Sequence, residues 1–140
     1  MTNYYYNKKF IEALNLPKIL EENNMINSNL NLAIYYALSS VDSHRNKSGS
    51  EVDNSIETEK LLLGDYYSFE YYFLLKEDLT KLEVLTKTLK NCYIKMLVDN
   101  SVLTPFVDLV EVLFSFYNKE ISQKYKDEIL ANAVQYYATL

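Results

Sequence analysis

Residues that form tight turns, disulfides and phosphate sites are scarce in this chain. Its 140 residues include two glycines, two prolines, one cysteine, one histidine and no tryptophan, and Arg45 is the sole arginine. With so few glycines, no Gly-rich loop can cradle a phosphate, and without an arginine cluster no set of guanidinium groups can bind one. A lone cysteine excludes an internal disulfide framework and favours a reducing compartment.

The charge and the hydropathy profile argue against nucleic acid and against a membrane-spanning segment. The formal net charge is −5, whereas nucleic-acid-binding domains carry a basic patch. No run reaches the ~18 consecutive apolar residues that a spanning helix needs, and the first residues lack the apolar core of a signal peptide. We therefore expect a cytoplasmic protein with no transmembrane segment, and peripheral contact with a membrane stays open.

The residues that are abundant repeat with helical spacing. Apolar types make up 49% of the chain, with 14 tyrosines and 6 phenylalanines, and no segment has the pattern of a strand. Apolar stripes and capping signals predict helices over 3–14, 17–22, 28–41, 59–76, 79–98, 104–117 and 119–138. The predicted fold class is all-α, with about six or seven helices.

The length and one polar segment set the predicted domain organisation. A chain of this size suits a single domain with its own core, so residues 1–140 are expected to form one helical domain. The segment 43–58, SHRNKSGSEVDNSIET, has few apolar residues. We expect it to be a flexible polar loop, because loops of this length inside a domain are usually functional or disordered.

The most apolar stretch is Leu61–Leu75, with the sequence LLLGDYYSFEYYFLL. A helix that is apolar on nearly all sides must be covered on nearly all sides. Gly64 and Ser68 are four residues apart, so on a helix they share a face where another backbone can approach closely. Two interpretations follow: the stretch is the central helix of the domain, or it is the seam where a partner binds.

Candidate catalytic and metal-binding residues all have simpler structural explanations. His44 is expected to be a solvated loop histidine, and Cys92 lies on an apolar helical stripe, where a buried and unreactive thiol is expected. Asp108 and Glu111 are three apart on one helix, and a solvated face explains them better than a shared cation does. The residues alone therefore predict no catalytic site, no metal site and no cofactor bound by this chain.

Two segments resemble a known family. AIYYALSSVDSHR, followed by the polar segment and then LLLGDYYSFEYYFLL, is similar to the small subunit (component I) of bacterial heptaprenyl diphosphate synthase and of the related two-component hexaprenyl enzymes. The first segment matches the family at Ala37, Leu38 and Asp42. The second matches it at Leu63, Gly64, Asp65, Tyr66, Tyr67, Ser68, Tyr71, Tyr72, Leu74 and Leu75.

The resemblance implies a non-catalytic subunit with a reduced trans-prenyl synthase helical fold. Complete synthases bind Mg²⁺ and the allylic diphosphate with an Asp-Asp-x-x-Asp motif, but the corresponding run here is Val41 to Arg45, in which Asp42 alone keeps a carboxylate. The implied partner is a catalytic large subunit that holds Mg²⁺, and the pair would make a long prenyl diphosphate for the menaquinone side chain. The residues implied at the subunit interface or the wall of the product tunnel are Gly64, Asp65, Tyr67, Ser68, Tyr71 and Tyr72.

Two other functional classes stay open at the level of sequence. The abundance of Tyr and Leu is also compatible with a stand-alone helical protein that binds an apolar ligand or lipid. A diverged single-chain enzyme would have to use Asp42, Asp65 or His44.

Overall fold

Every regular element in the described part of the chain is an α-helix, as predicted. The computed structural model describes residues 6–45 and 66–140, and within these two ranges no residue is in a strand. The helices are α1 (Lys8–Ala13), α2 (Leu16–Glu22), α3 (Ser28–His44), α4 (66–74), α5 (Leu79–Val98), α6 (Thr104–Phe116) and α7 (Gln123–Ala138).

Asparagines take the place of glycine where helices end. Asn15, Asn24 and Asn118 have φ angles of 62°, 57° and 57°, in the left-handed region that asparagine tolerates better than other residues with a side chain. After Asn118, the Lys119 backbone N–H donates to the Phe114 carbonyl at 3.0 Å and closes the end of α6. A chain with two glycines can therefore still turn sharply between helices.

Helix α6 occupies the centre of the fold. It packs against α3, α5 and α7, and its buried side chains are Pro105, Phe106, Val107, Leu109, Val110, Leu113 and Phe114. Its charged residues, Asp108 and Glu111, lie toward its outer side and pair with Lys95 and Lys126. The sequence allowed Leu61–Leu75 to be either the central helix or a partner-binding seam. The described part of this stretch, α4, is not the central helix, because one side of α4 is exposed and α6 holds the central position.

Local capping signals located α5 correctly. The Asp78 carboxylate accepts from the Lys81 backbone N–H at 3.2 Å and caps the helix, which then runs to Val98 as predicted. Thr104 followed by Pro105 is a signal of a helix start, and α6 begins at Thr104 as predicted, although Leu103 precedes the helix without a side-chain cap.

Three other boundaries differ from the prediction by three residues or more. The last helix begins at Gln123, not at Lys119, because the Ser122 hydroxyl caps it. Helix α3 continues through Ser43 and His44, two residues into the predicted loop, whose residues 46–58 lie outside the described ranges. Helix α1 begins at Lys8, where the side chain of Asn7 accepts from the backbone N–H of Phe10.

No helix within 6–45 and 66–140 is both long enough and apolar enough to cross a bilayer.

Candidate functional site

The carboxylate of Asp42 holds three helices together. Its Oδ1 accepts from the Tyr137 hydroxyl at 2.5 Å, and its Oδ2 accepts from the Asn7 amide at 3.0 Å. Asn7 in turn donates its backbone N–H to the Ser39 hydroxyl at 2.9 Å. Asp42 on α3 is thus linked to the start of α1 and to the last turn of α7.

Arg45 completes this cluster from the end of α3. Its guanidinium lies over the Tyr137 ring, with the central carbon 4.1 Å from the ring centroid, and it donates to the Val102 carbonyl at 3.0 Å. Burial, followed by the nearby Asp42 carboxylate, raises the pKa of Tyr137 well above its ordinary value of 10.0. Tyr137 therefore stays protonated at neutral pH and remains a hydrogen-bond donor to Asp42.

Removing the hydroxyl in Tyr137→Phe is expected to lower the free energy of unfolding by about 1–3 kcal/mol, because Asp42 then loses a donor in a partly buried place. Urea denaturation at pH 7 measures the change. The matched control is Tyr125→Phe, whose hydroxyl makes only a 3.3 Å bond to Glu22 at the surface and whose loss should cost less than about 0.5 kcal/mol. Equal losses in the two variants would contradict a structural role for the bond to Asp42.

A second polar cluster, which is partly buried, joins α3, α4 and α5. The Ser40 hydroxyl lies 2.6 Å from the Tyr93 hydroxyl and 3.4 Å from the Ser68 hydroxyl. The His44 ring lies against Tyr93, with 4.9 Å between centroids, and its Nδ1 is 2.7 Å from the Ser40 carbonyl. Because a carbonyl only accepts, Nδ1 carries the hydrogen in this contact.

His44 is therefore not the solvated loop histidine expected from the sequence, since it ends a helix and packs on a tyrosine. Burial raises the pKa of Tyr93 above its ordinary value of 10.0, so its phenol is protonated at neutral pH and cannot take a proton from Ser40. The hydrogen bonds of the cluster are suited to holding α4 against α3 and α5.

Cys92 is the buried thiol that the sequence predicted. Its side chain is fully buried, and its Sγ lies 3.7 Å from the Pro105 carbonyl. Burial raises its pKa from 9.0 to about 12, so the nucleophilic thiolate is not populated at neutral pH.

No group of three or more His, Cys, Asp or Glu side chains among the described residues could hold a metal ion. A surface groove of about 470 Å³ runs between α5 and α6, and Asp108 in its wall pairs with Lys95 at 2.5 Å. This ion pair makes the groove a poor match for an apolar ligand.

The predicted seam residues divide between the two sides of α4. Tyr67 and Tyr71 are buried, and the Tyr67 ring contacts Tyr36 of α3 at a centroid distance of 6.1 Å. Ser68 also points inward, to Ser40. Tyr72 faces solvent, and Gly64 and Asp65 lie outside the described residues. Three of the four described seam residues therefore fasten α4 to its own chain.

The outward side of α4 carries three aromatic rings, which we call the aromatic row. Phe69, Tyr72 and Phe73 are 66%, 57% and 54% exposed. The Lys76 ammonium lies beside the row, 4.2 Å from the centroid of the Phe73 ring. Phe69 and Phe73 were not among the predicted seam residues, although Tyr72 and Phe73 follow Phe69 by three and four residues, a spacing that places the three rings on one face of a helix.

Comparisons with protein-family models, with curated proteins and with solved structures found no match to this chain.

Proposed function

We propose that this chain is a non-catalytic subunit of a heterodimeric trans-polyprenyl diphosphate synthase, and that its aromatic row binds the catalytic large subunit. The observation that carries the proposal is the exposure of Phe69, Tyr72 and Phe73 on the same helix that bears the family-like segment. In this proposal the enzyme is cytoplasmic or peripherally membrane-bound and makes a long prenyl diphosphate for the menaquinone side chain.

The chemistry of the aromatic row suits a protein interface. Large rings that stay in water on a folded chain are costly, and clustered exposed apolar side chains commonly mark interaction sites. Aromatic residues are also enriched among the side chains that contribute most to binding energy. The inner side of α4 is fastened by Tyr67, Ser68 and Tyr71, so its outer rings are held on an ordered surface.

The environment of Asp42 supports a role without catalysis. Each Asp42 oxygen accepts a hydrogen bond, from Tyr137 and from Asn7, so the carboxylate has a structural role that needs no metal ion. Arg45 lies one helical turn further on, where a second carboxylate would be needed. In the proposed complex, the large subunit binds Mg²⁺ and both substrates.

The proposed role of this subunit is to support a long product. A growing prenyl chain needs a continuous apolar wall, because each buried CH₂ contributes about 0.8 kcal/mol. A helical subunit packed against the catalytic one can form or stiffen such a wall and contact the product there.

Reconstitution tests the proposal. The purified chain, a candidate large subunit and their mixture are each assayed with isopentenyl diphosphate, farnesyl diphosphate and Mg²⁺. We expect no turnover by this chain alone and long-chain product from the mixture. Turnover by this chain alone, or the same product from the large subunit with and without it, would refute the proposal.

A pair of variants tests the position of the interface. Tyr72→Glu places a charge in the aromatic row and is expected to reduce product formation by the mixture at least tenfold, because the buried charge weakens association. The control is Val134→Glu on α7, which changes a side chain that is also 57% exposed and is expected to leave activity within about twofold of the unmodified protein. If Tyr72→Glu behaves like the control, the aromatic row is not the interface.

A further inference from the structure

The residues of the aromatic row and Lys76 are spaced symmetrically along the sequence. Phe69, Tyr72, Phe73 and Lys76 are separated by three, one and three residues, so the pattern is centred between Tyr72 and Phe73. A second α4 helix running in the opposite direction would place its Phe73 opposite Tyr72, and would bring its Lys76, which lies in the turn 75–77 just after the helix, near Phe69. This is the geometry of an isologous contact, in which the same patch is used by both subunits.

The chemistry of the opposed pairs is favourable. Phe69 is the most exposed ring of the row, and a lysine ammonium over an aromatic face is attracted by the ring quadrupole. Lys76 already makes such a contact with Phe73 of its own chain, so its ammonium lies at the level of the rings. The central Tyr72 and Phe73 would form aromatic pairs across the two-fold axis, and no two like charges within this pattern would face each other.

We propose that, in the absence of another partner, two copies of this chain associate through α4 in an antiparallel, two-fold symmetric pair. The pair would use the face that the proposed function assigns to the large subunit, so self-association would compete with that partner. The inference does not depend on the partner's identity, because it concerns the purified chain alone.

The size of the aromatic row indicates a weak pair. Aromatic side chains bury about 150–250 Å² each when fully covered, and the three rings are already partly buried. Contact through the row alone falls short of the ~800 Å² per partner that stable complexes bury. We therefore expect a dimer that depends on concentration and that a larger interface can displace.

Sedimentation velocity between about 5 and 500 μM tests the association. The weight-average mass of the unmodified chain is expected to rise from 16.4 kDa toward twice that value, whereas Tyr72→Glu should stay monomeric. Val134→Glu should follow the unmodified chain, and circular dichroism verifies that both variants keep their helices. A monomer throughout the range, or a dimer that Tyr72→Glu leaves unchanged, would overturn the inference.

Disulfide trapping tests the antiparallel register. Phe69→Cys and Lys76→Cys are mixed under mild oxidation, and the mixture is expected to give at least fivefold more cross-linked dimer than either variant alone. In the antiparallel pair, the thiols of two Phe69→Cys chains lie about 10 Å apart along the helix, too far for a disulfide, and the native Cys92 is buried. Equal cross-linking of the single variants would exclude this register.

The experiments distinguish a failure of the proposed function from a failure of the proposed self-association. The dimer experiments use one purified chain without substrate, whereas the proposed function is measured as product formed with the large subunit. A chain that dimerises but activates no synthase would refute the function alone, and a monomeric chain that activates the synthase would refute the self-association alone.

Discussion

Truncating the Phe106 ring in Phe106→Ala is expected to lower the free energy of unfolding by about 3–5 kcal/mol. Phe106 is fully buried in the central helix α6. Its ring lies 4.9 Å from Phe10 and 6.1 Å from Tyr137, measured between centroids. The substitution removes apolar contact with α1 and α7 at once and leaves a cavity that the surrounding helices fill only in part.

Urea denaturation at pH 7 and low protein concentration measures the loss. Domains of this kind are stable by about 5–15 kcal/mol, so Phe106→Ala is expected to move the unfolding midpoint far toward lower urea. The control is Phe73→Ala, the same truncation on the exposed side of α4, which should cost less than about 1 kcal/mol. Similar losses in the two variants would mean that α6 is not the centre of the core.

Local patterns were sufficient to predict α5 and the core side of α6. In α5 the stripe of Leu82, Leu85, Leu89 and Cys92 repeats every three or four residues, and all four are buried. Asp78 caps the helix with its own side chain. These signals are contained in one helix, so they can be recognised without knowing what the helix packs against.

The environment of Asp42 could not be predicted in the same way. Its two partners, Asn7 and Tyr137, are 35 and 95 residues away along the chain. No spacing rule pairs side chains at such separations, because their contact depends on how α1, α3 and α7 pack. Sequence patterns therefore identified Asp42 as a candidate site residue but did not indicate which side chains donate hydrogen bonds to its carboxylate.

For helix α4 the sequence left two interpretations open, and it could not decide between them for a related reason. Its apolar residues lie on both sides, so composition indicated that the helix would be covered all round. The structure covers only the side with Tyr67 and Tyr71 and leaves Phe69 and Phe73 exposed. Which side of such a helix faces the core is decided by the neighbouring α3 and α5, and sequence periodicity contains no information on that choice.

Because of its buried phenol and thiol groups, the protein is expected to have a much lower free energy of unfolding at alkaline pH. Burial, followed by the nearby Tyr6 and Tyr117, raises the pKa of Tyr35 from 10.0 to about 12, and burial, followed by the charge of Asp108, raises that of Cys92 from 9.0 to about 12. The pKa of Tyr137 is raised as well. In the unfolded chain these groups ionise near their ordinary values, so between about pH 9 and 12 the unfolded state binds fewer protons than the folded state.

The free energy of unfolding is therefore expected to be insensitive to these groups below about pH 9 and to fall steeply as the pH rises toward 12. Urea denaturation at pH 7, 9, 10 and 11 measures the fall, and tyrosinate absorbance near 295 nm reports ionisation. Tyr35→Phe removes one titrating group and should make the fall shallower, whereas Tyr72→Phe, which changes an exposed phenol, should leave it unchanged. If all phenols ionised near pH 10 while the helices stayed intact, the burial of these hydroxyls would be disproved, since the loss of solvation on burial disfavours a phenolate.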